Sequence, residues 1–125
     1  MLVLNETLDN FLGGRIKLVQ PSDGYRAAID PIFLAASIHP KPHEKILDVG
    51  AGVGTASISL AVRCPHAQVF GLEVQSNLVQ FAFTNIEANQ VKDRVEMVNG
   101  DLLSPPSFLK PNSFDHVMTN PPYYE

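Results

Sequence analysis

The chain has 125 residues, of which 45% are hydrophobic, a size and composition that suit one domain with a modest core and exclude two. Its formal net charge of −4 argues against a strongly basic surface of the kind that binds nucleic acids. The acidity belongs to the part after residue 45, so a polyanion would meet the N-terminal part or a segment outside this sequence.

The first 44 residues predict a small β-hairpin and a short helix. Strand-like residues on either side of Gly13 and Gly14 form the hairpin over 11–19, because both glycines can take a positive φ in the turn. Asp30 and Pro31 follow a turn-rich loop and supply an N-cap carboxylate and an N1 proline. They predict a helix over 32–38.

From residue 45 onward, strands and helices alternate. The predicted strands are 46–49, 68–74, 95–99 and 114–119, and the predicted helices are 55–63 and 76–90. This alternation predicts βαβ units and therefore an α/β fold with a parallel sheet. In helix 76–90, Leu78, Phe81, Ala82 and Ile86 recur at three- and four-residue steps, which predicts that they pack on the sheet.

A glycine-rich loop follows the first parallel strand. It contains Asp48, Gly50, Gly52 and Gly54 and opens helix 55–63, so its glycines allow a tight turn and a close approach of a ligand to the backbone. Glu73 ends the next strand, at about the separation from the loop at which an acidic side chain accepts hydrogen bonds from ribose hydroxyls. Together they predict a site for a nucleotide-like cofactor.

The identity of this cofactor depends on the glycine spacing. NAD and FAD sites use G-x-G-x-x-G, which would require glycine at position 55, where this chain has Thr55. The spacing G-x-G-x-G, with Asp48 two residues upstream, instead resembles the S-adenosylmethionine loop of class I methyltransferases. The resemblance implies S-adenosylmethionine as the cofactor, with its amino-acid end beside the loop and its ribose on Glu73.

Asp101 and Leu102 follow the third parallel strand. The resemblance implies that Asp101 receives the adenine amino group of the cofactor, with Leu102 beside it in the cofactor site. The alternative is an ordinary turn, for which Asn-Gly-Asp is a common sequence.

The segment Asn120-Pro121-Pro122-Tyr123 follows the fourth parallel strand and predicts chemistry on an amino nitrogen. The lone pair of an adenine amine or an amide is delocalised, so it must be redirected before it can attack. The side-chain oxygen of Asn120 and the backbone carbonyl of Pro121 can accept the two hydrogens of the amine, while Tyr123 offers an aromatic face for stacking. These three form the predicted catalytic set; the alternative is a proline-rich turn with an incidental tyrosine.

These motifs resemble, in order and position, the amino-group methyltransferases of class I. Residues 20–36 resemble the bacterial enzymes that methylate adenine N6 beside the anticodon of valine tRNA, so the resemblance covers nearly the entire chain. It implies methyl transfer to an exocyclic amino nitrogen, adenine N6 in tRNA, with Tyr25, Arg26 and Asp30 closing over the cofactor. The alternative roles of these three residues are a hairpin contact, a surface cation and the helix cap, respectively. The alternative functions are N-methylation of a glutamine amide in a protein such as a release factor, and a catalytically inactive fragment.

The fold that the resemblance implies is larger than this sequence. Class I methyltransferases have a Rossmann-like sheet of seven strands with the fourth in the centre, and this chain supplies four. We therefore expect an N-terminal hairpin and helix over 1–44, and over 45–125 a partial S-adenosylmethionine-binding domain truncated after strand four. The exposed edge of that strand would invite self-association.

Compartment and metal content follow from simpler features. Cys64 is the only cysteine, so no intrachain disulfide can form, and the four histidines lack metal-ligand spacing. Apolar stretches fall short of the roughly 20 residues that a membrane span needs, and the first residues lack a signal pattern. We expect a cytoplasmic protein with no metal and no membrane partner.

Overall fold

The computed structural model describes residues 6–11, 13–22 and 29–121. Within these ranges an antiparallel hairpin precedes an α/β unit, as the sequence predicts. The elements are β1 (Glu6–Phe11), β2 (Ile16–Pro21), α1 (Ile29–Ala36), β3 (Lys45–Val49), α2 (Thr55–Arg63), β4 (Gln68–Glu73), α3 (Ser76–Ala88), β5 (Val95–Asn99) and β6 (His116–Thr119).

The four strands β3 to β6 form one parallel sheet in the order β5-β4-β3-β6. The chain steps from β3 to β4 to β5 in one direction and then returns, placing β6 on the other side of β3. In an open α/β sheet, ligands bind outside the carboxyl ends of the strands where the order reverses. That point lies beyond the ends of β3 and β6.

A single hydrophobic core fills the space between one face of the sheet, the three helices and the hairpin. Its members include Ile16 and Leu18 of β2, Ile46 of β3, Leu60 of α2 and Ile86 of α3. On the opposite face, residues 102–114 run across the sheet and bring the rings of Phe108 and Phe114 within 6.0 and 5.6 Å of the Phe70 ring. The core thus anchors the hairpin to the α/β unit.

The hairpin is confirmed, with Gly13 and Gly14 at φ 66° and 86° in its turn, and β1 begins earlier than predicted. The predicted start of α1 at residue 32 is wrong, because the helix begins at Ile29. Asp30 therefore lies within the first turn and is not an N-cap. Pro31 is tolerated there because backbone N–H groups of the first turn have no partner within the helix.

The buried face of α3 also differs from prediction. Ala82 and Ile86 are buried, but their buried companions are Val79 and Asn85, while Leu78 and Phe81 are only partly covered. Apolar periodicity cannot find a buried asparagine, since a polar side chain enters a core only when hydrogen bonds satisfy it.

Two absences hold for the described ranges. None of their helices has the length and apolarity needed to cross a membrane. Their histidine, cysteine and acidic side chains likewise include no group of three or more that could hold a metal ion.

Candidate functional site

A small cavity lies where the strand order reverses. Asp48 and Gly50 reach it from the end of β3, Asn120 from the end of β6, Pro31 from α1 and Leu78 from α3. Its volume is about 40 Å³, room for a small polar group and not for a whole nucleoside. The glycine loop and the Asn120 segment therefore meet at one place, although they are far apart in the sequence.

The glycine loop is folded tightly against the end of β4. Gly50, Gly52 and Gly54 have φ values of 72°, 59° and 96°, which lie in the left-handed region that side chains disfavour. The backbone N–H groups of Gly50 and Ala51 donate to the carbonyl of Leu72 at 2.9 and 3.0 Å. The glycine spacing is therefore a requirement of the loop's backbone path.

Glu73 braces this loop from the neighbouring strand. Its Oε1 accepts the backbone N–H of Gly52 at 2.8 Å, and its Oε2 accepts that of Gln75 at 2.8 Å. The side chain is 5% exposed. Each carboxylate oxygen keeps lone-pair capacity for a further donor, so the bracing role, which the sequence analysis missed, is compatible with the predicted contact to ribose.

Asp48 is a buried carboxyl group on the wall of the cavity. It is 2% exposed, and Ser57 donates its hydroxyl to Asp48 Oδ2 at 2.6 Å. Burial raises the pKa of Asp48 from 3.8 to about 7, against the lowering effect of the Ser57 hydrogen bond and with a smaller upward contribution from the charge of Glu73. A positively charged group in the cavity would favour the ionised form.

The raised pKa predicts that the free energy of unfolding depends on pH through Asp48. The folded protein holds this proton up to about pH 7, whereas the unfolded chain releases it near pH 3.8. The contribution of the protonated Asp48 to the free energy of unfolding is therefore fully present below about pH 4. It is lost as pH rises to about 7, by up to on the order of 4 kcal/mol. Asp48→Asn should remove this fall. Urea denaturation of both proteins at pH 5 and pH 8 checks it; parallel pH dependences would contradict the assignment.

The position of Asn120 is fixed by the strand before it. Val49 and Thr119 are paired in register, and the Thr119 hydroxyl donates to the Val49 carbonyl at 2.9 Å. Gly50 and Asn120, which directly follow these residues at the ends of β3 and β6, thus leave the sheet side by side. Pro121 is exposed beside them.

Not every predicted site residue reaches this cavity. Asp101 is exposed, and its Oδ1 accepts the Leu103 N–H at 2.9 Å, which is a turn contact; its role toward adenine stays a prediction. Leu102 is 51% exposed beyond β5. Asp30 is exposed on α1, and Tyr25, Arg26 and Tyr123 lie outside the described residues.

The structure also supplies site residues that no motif indicated. Thr55 lines the cavity at the start of α2, and its buried hydroxyl has no hydrogen-bond partner among the described residues. Asn99 pairs in register with Glu73 and donates to the carbonyls of Glu73 and Val74 at 2.9 and 3.1 Å. Its position at the end of a parallel strand was the available signal for Asn99; Thr55 offered none except its place after the last glycine.

A larger open groove of about 820 Å³ lies between α3 and β5, toward the amino ends of β4 and β5. It contains none of the predicted site residues. The larger volume of this groove therefore does not identify it as the site, because the glycine loop and the reversal of strand order both lie at the opposite, carboxyl edge of the sheet.

Comparison with known proteins gives relatives of three kinds. The tRNA1(Val) (adenine(37)-N6)-methyltransferase of Vibrio campbellii is 30% identical over 81% of this chain and 41% of its own length. The rRNA N(6)-adenosine-methyltransferase metl-5 of Caenorhabditis elegans is 28% identical over 97% and 56%. The release factor glutamine methyltransferase of Geobacter sulfurreducens is 33% identical over 74% and 31%. The chain thus spans about half of these relatives' length or less.

Among solved structures, Pyrococcus horikoshii TYW2 in complex with MeSAdo is similar with a TM-score of 0.75 and 26% identity, over 90% of this chain and 41% of that one. Its fold agrees with the α/β class I methyltransferase architecture predicted from the sequence. Residues 29–125, which contain the whole cavity, match the family model described as methyltransferase small domain. The chain therefore belongs to the methyltransferase small domain family.

Proposed function

We propose that this chain binds S-adenosylmethionine at the carboxyl edge of its sheet and methylates an exocyclic amino nitrogen, the N6 of an adenine in tRNA. The observation that carries the proposal is the single cavity lined by Asp48, the glycine loop and Asn120. Lining by residues of both segments supports a site in which the glycine loop binds the cofactor and Asn120 orients the amine.

The residues of the cavity fit the amino-acid end of this cofactor, which carries an ammonium and a carboxylate group. Asp48 offers a buried carboxyl group for the ammonium. Thr55 offers a buried hydroxyl for the carboxylate, and this hydroxyl has no hydrogen-bond partner among the described residues. Glu73 stands at the end of the adjacent strand for the ribose hydroxyls. We assign Asp101 and Leu102 to the adenine and Tyr25, Arg26 and Asp30 to the closing side of the site.

The bound cofactor supplies an electrophilic methyl group on a positively charged sulfur. The chain's own part is to orient the acceptor: the Asn120 side-chain oxygen and the Pro121 carbonyl accept the two amine hydrogens and so direct the nitrogen lone pair. The prolines hold the preceding residues extended, and Tyr123 stacks on the base. Orientation of this kind supplies roughly 7 to 11 kcal/mol of a barrier. The nitrogen would gain the methyl group as the sulfur–methyl bond breaks, and S-adenosylhomocysteine would leave. The methylated nitrogen would then be positively charged and acidic enough to lose its surplus proton to water, so no strong base is required.

An RNA substrate is favoured by the N-terminal part. Strands β1 (Glu6–Phe11) and β2 (Ile16–Pro21) form a hairpin that packs on the α/β unit through Ile16 and Leu18, both fully buried in the core. Acidic and basic residues balance over 1–45, whereas acidic ones dominate the remainder. A polyanion therefore meets less repulsion on the hairpin side.

The experiment compares methyl transfer to three classes of substrate. The chain is incubated with methyl-labelled S-adenosylmethionine and, separately, with unmodified tRNA, ribosomal RNA and a release factor, and the products are digested and analysed by mass spectrometry. We expect the label on adenine N6 of tRNA. Label on a glutamine side chain, or on none of the three by a folded protein that binds the cofactor, would overturn the substrate assignment.

Thr55 gives a prediction in which affinity and stability change in opposite directions. A buried hydroxyl without a partner costs about 1 to 3 kcal/mol, so Thr55→Val should raise the free energy of unfolding by about 1 kcal/mol. The same change removes a donor to the cofactor and should weaken S-adenosylhomocysteine binding about 5- to 10-fold. Calorimetry and urea denaturation measure the two quantities.

Ser59 provides the matched control, one turn further along α2. Its hydroxyl is also buried without a partner in the described part of the chain, but it lies outside the cavity lining. Ser59→Ala should therefore raise stability without changing affinity. Wild-type affinity in Thr55→Val would remove Thr55 from the cofactor site.

A further inference from the structure

Two asparagines hold the edge of β2: Asn85 in α3 and Asn89, the C-cap residue of α3. Asn89 Oδ1 accepts the Lys17 N–H at 3.0 Å, and its Nδ2 donates to the Lys17 carbonyl at 2.7 Å. One turn earlier, Asn85 repeats this arrangement with the N–H and carbonyl of Val19, at 2.6 and 2.9 Å. The two amide side chains thus act on β2 as a neighbouring strand would, since each provides one donor and one acceptor to alternate residues.

Each asparagine makes a third side-chain hydrogen bond. Asn89 Nδ2 also donates to the backbone carbonyl of Asn85 at 2.8 Å, whereas the third bond of Asn85 reaches the glycine loop. Its Nδ2 also donates to the carbonyl of Val53 at 3.0 Å, and the Asn85 side chain is fully buried. Val53 lies between Gly52 and Gly54 and lines the cavity. The buried Asn85 amide therefore links three segments: α3, β2 and the predicted cofactor loop.

The Val53 bond fixes the orientation of one peptide group. The peptide that carries the Val53 carbonyl also carries the Gly54 N–H, which donates to the Ala51 carbonyl at 3.0 Å. Glycine has little steric preference against rotation of this peptide, because it lacks a Cβ. Without the Asn85 donor, rotation of this peptide is opposed only by the Gly54 N–H bond, which the rotation would break.

We propose that Asn85 is a positioning residue for cofactor binding: it holds the Val53–Gly54 peptide of the glycine loop and couples that loop to the hairpin through Val19. The affinity part of this proposal rests on the proposed function; the loop-holding part does not. Hairpin and loop then form one unit, so that changes at Val19 reach the glycine loop through the buried Asn85 side chain.

Asn89 is the matched control because it makes the same two bonds to β2 and its bonds do not extend to the loop. Asn85→Ala and Asn89→Ala are compared with wild type by S-adenosylhomocysteine calorimetry and by hydrogen–deuterium exchange of residues 50–56 and 16–21. Both variants should exchange faster over 16–21. Only Asn85→Ala should exchange faster over 50–56 and bind about tenfold or more weakly, while Asn89→Ala stays within about twofold of wild type.

Equal affinity and equal loop exchange in the two variants would overturn the proposal. If the wild type itself fails to bind S-adenosylhomocysteine, the proposed function fails, and faster exchange of 50–56 in Asn85→Ala alone still decides the loop-holding role. Should Asn85→Ala not fold, Asn85→Ser, which leaves a smaller void and a polar group for the Val19 N–H, replaces it in both measurements.

Discussion

Replacing Asn120 by alanine is expected to lower methyl transfer to RNA by about 10³-fold while leaving the affinity for S-adenosylhomocysteine within about threefold of wild type. The side-chain oxygen is one of only two proposed acceptors for the amine hydrogens, and loss of a preorganised polar contact of this type costs about 10²- to 10³-fold in rate. The cofactor contacts assigned to Asp48, Thr55 and Glu73 remain. Single-turnover rates and calorimetry separate the two effects.

A graded control comes from the residue before it. Thr119→Val removes the hydroxyl that clasps the ends of β3 and β6 at 2.9 Å but keeps the Asn120 side chain. Its rate should fall by about tenfold or less, since a misplaced group retains part of its effect. Turnover by Asn120→Ala at the Thr119→Val level or above would remove Asn120 from the catalytic set.

Replacing Glu73 by alanine is expected to weaken S-adenosylhomocysteine binding by about 10²-fold or more. Two proposed charge-assisted bonds to ribose are lost, each worth about 1.5 to 3 kcal/mol. In addition, the Gly52 N–H loses its acceptor, which loosens the loop that meets the cofactor. The free energy of unfolding should fall by about 2 to 4 kcal/mol for the same reason, so affinity is measured where circular dichroism shows the variant folded.

Glu73→Gln separates the loss of the proposed ribose contacts from the loss of the acceptor for the Gly52 N–H. One side-chain oxygen remains to accept the Gly52 N–H, so most of the stability should return, while the amide nitrogen cannot accept from a ribose hydroxyl. Affinity should stay at least about tenfold below wild type. Glu96→Ala, an exposed acidic position on β5, controls for net charge. Wild-type affinity in Glu73→Gln would leave Glu73 with the bracing role alone.

The order of strands and helices could be predicted from the sequence because alternation and loop signals are local. The bounds of α2 and β5 agree with prediction to the residue, and the glycine loop was identified from its spacing. The predicted start of α1 was wrong, because the helix begins at Ile29 and not at residue 32. The predicted face of α3 was right for Ala82 and Ile86 but missed Asn85, whose hydrogen bonds to Val19 and Val53 a pattern of apolar residues does not contain.

The site shows the same division. Its chemistry-bearing motifs were recognisable, since carboxyl ends of parallel strands gather at one edge. What the sequence could not show were the second roles: Glu73 as the brace of Gly52, Asn85 as the link from β2 to Val53, and Thr55 with an unpartnered hydroxyl in the cavity. Each arises from three-dimensional contacts between residues at least 21 positions apart, or from burial, as at Thr55.

The central claim is that the cavity at the ends of β3 and β6 is the amino-acid end of an S-adenosylmethionine site. Calorimetric titration of the folded 125-residue chain with S-adenosylhomocysteine tests it most directly. We predict saturable binding of one ligand per chain, about 10²-fold weaker in Glu73→Ala. A chain that is folded by circular dichroism and releases no binding heat at any ligand concentration up to millimolar would contradict the account.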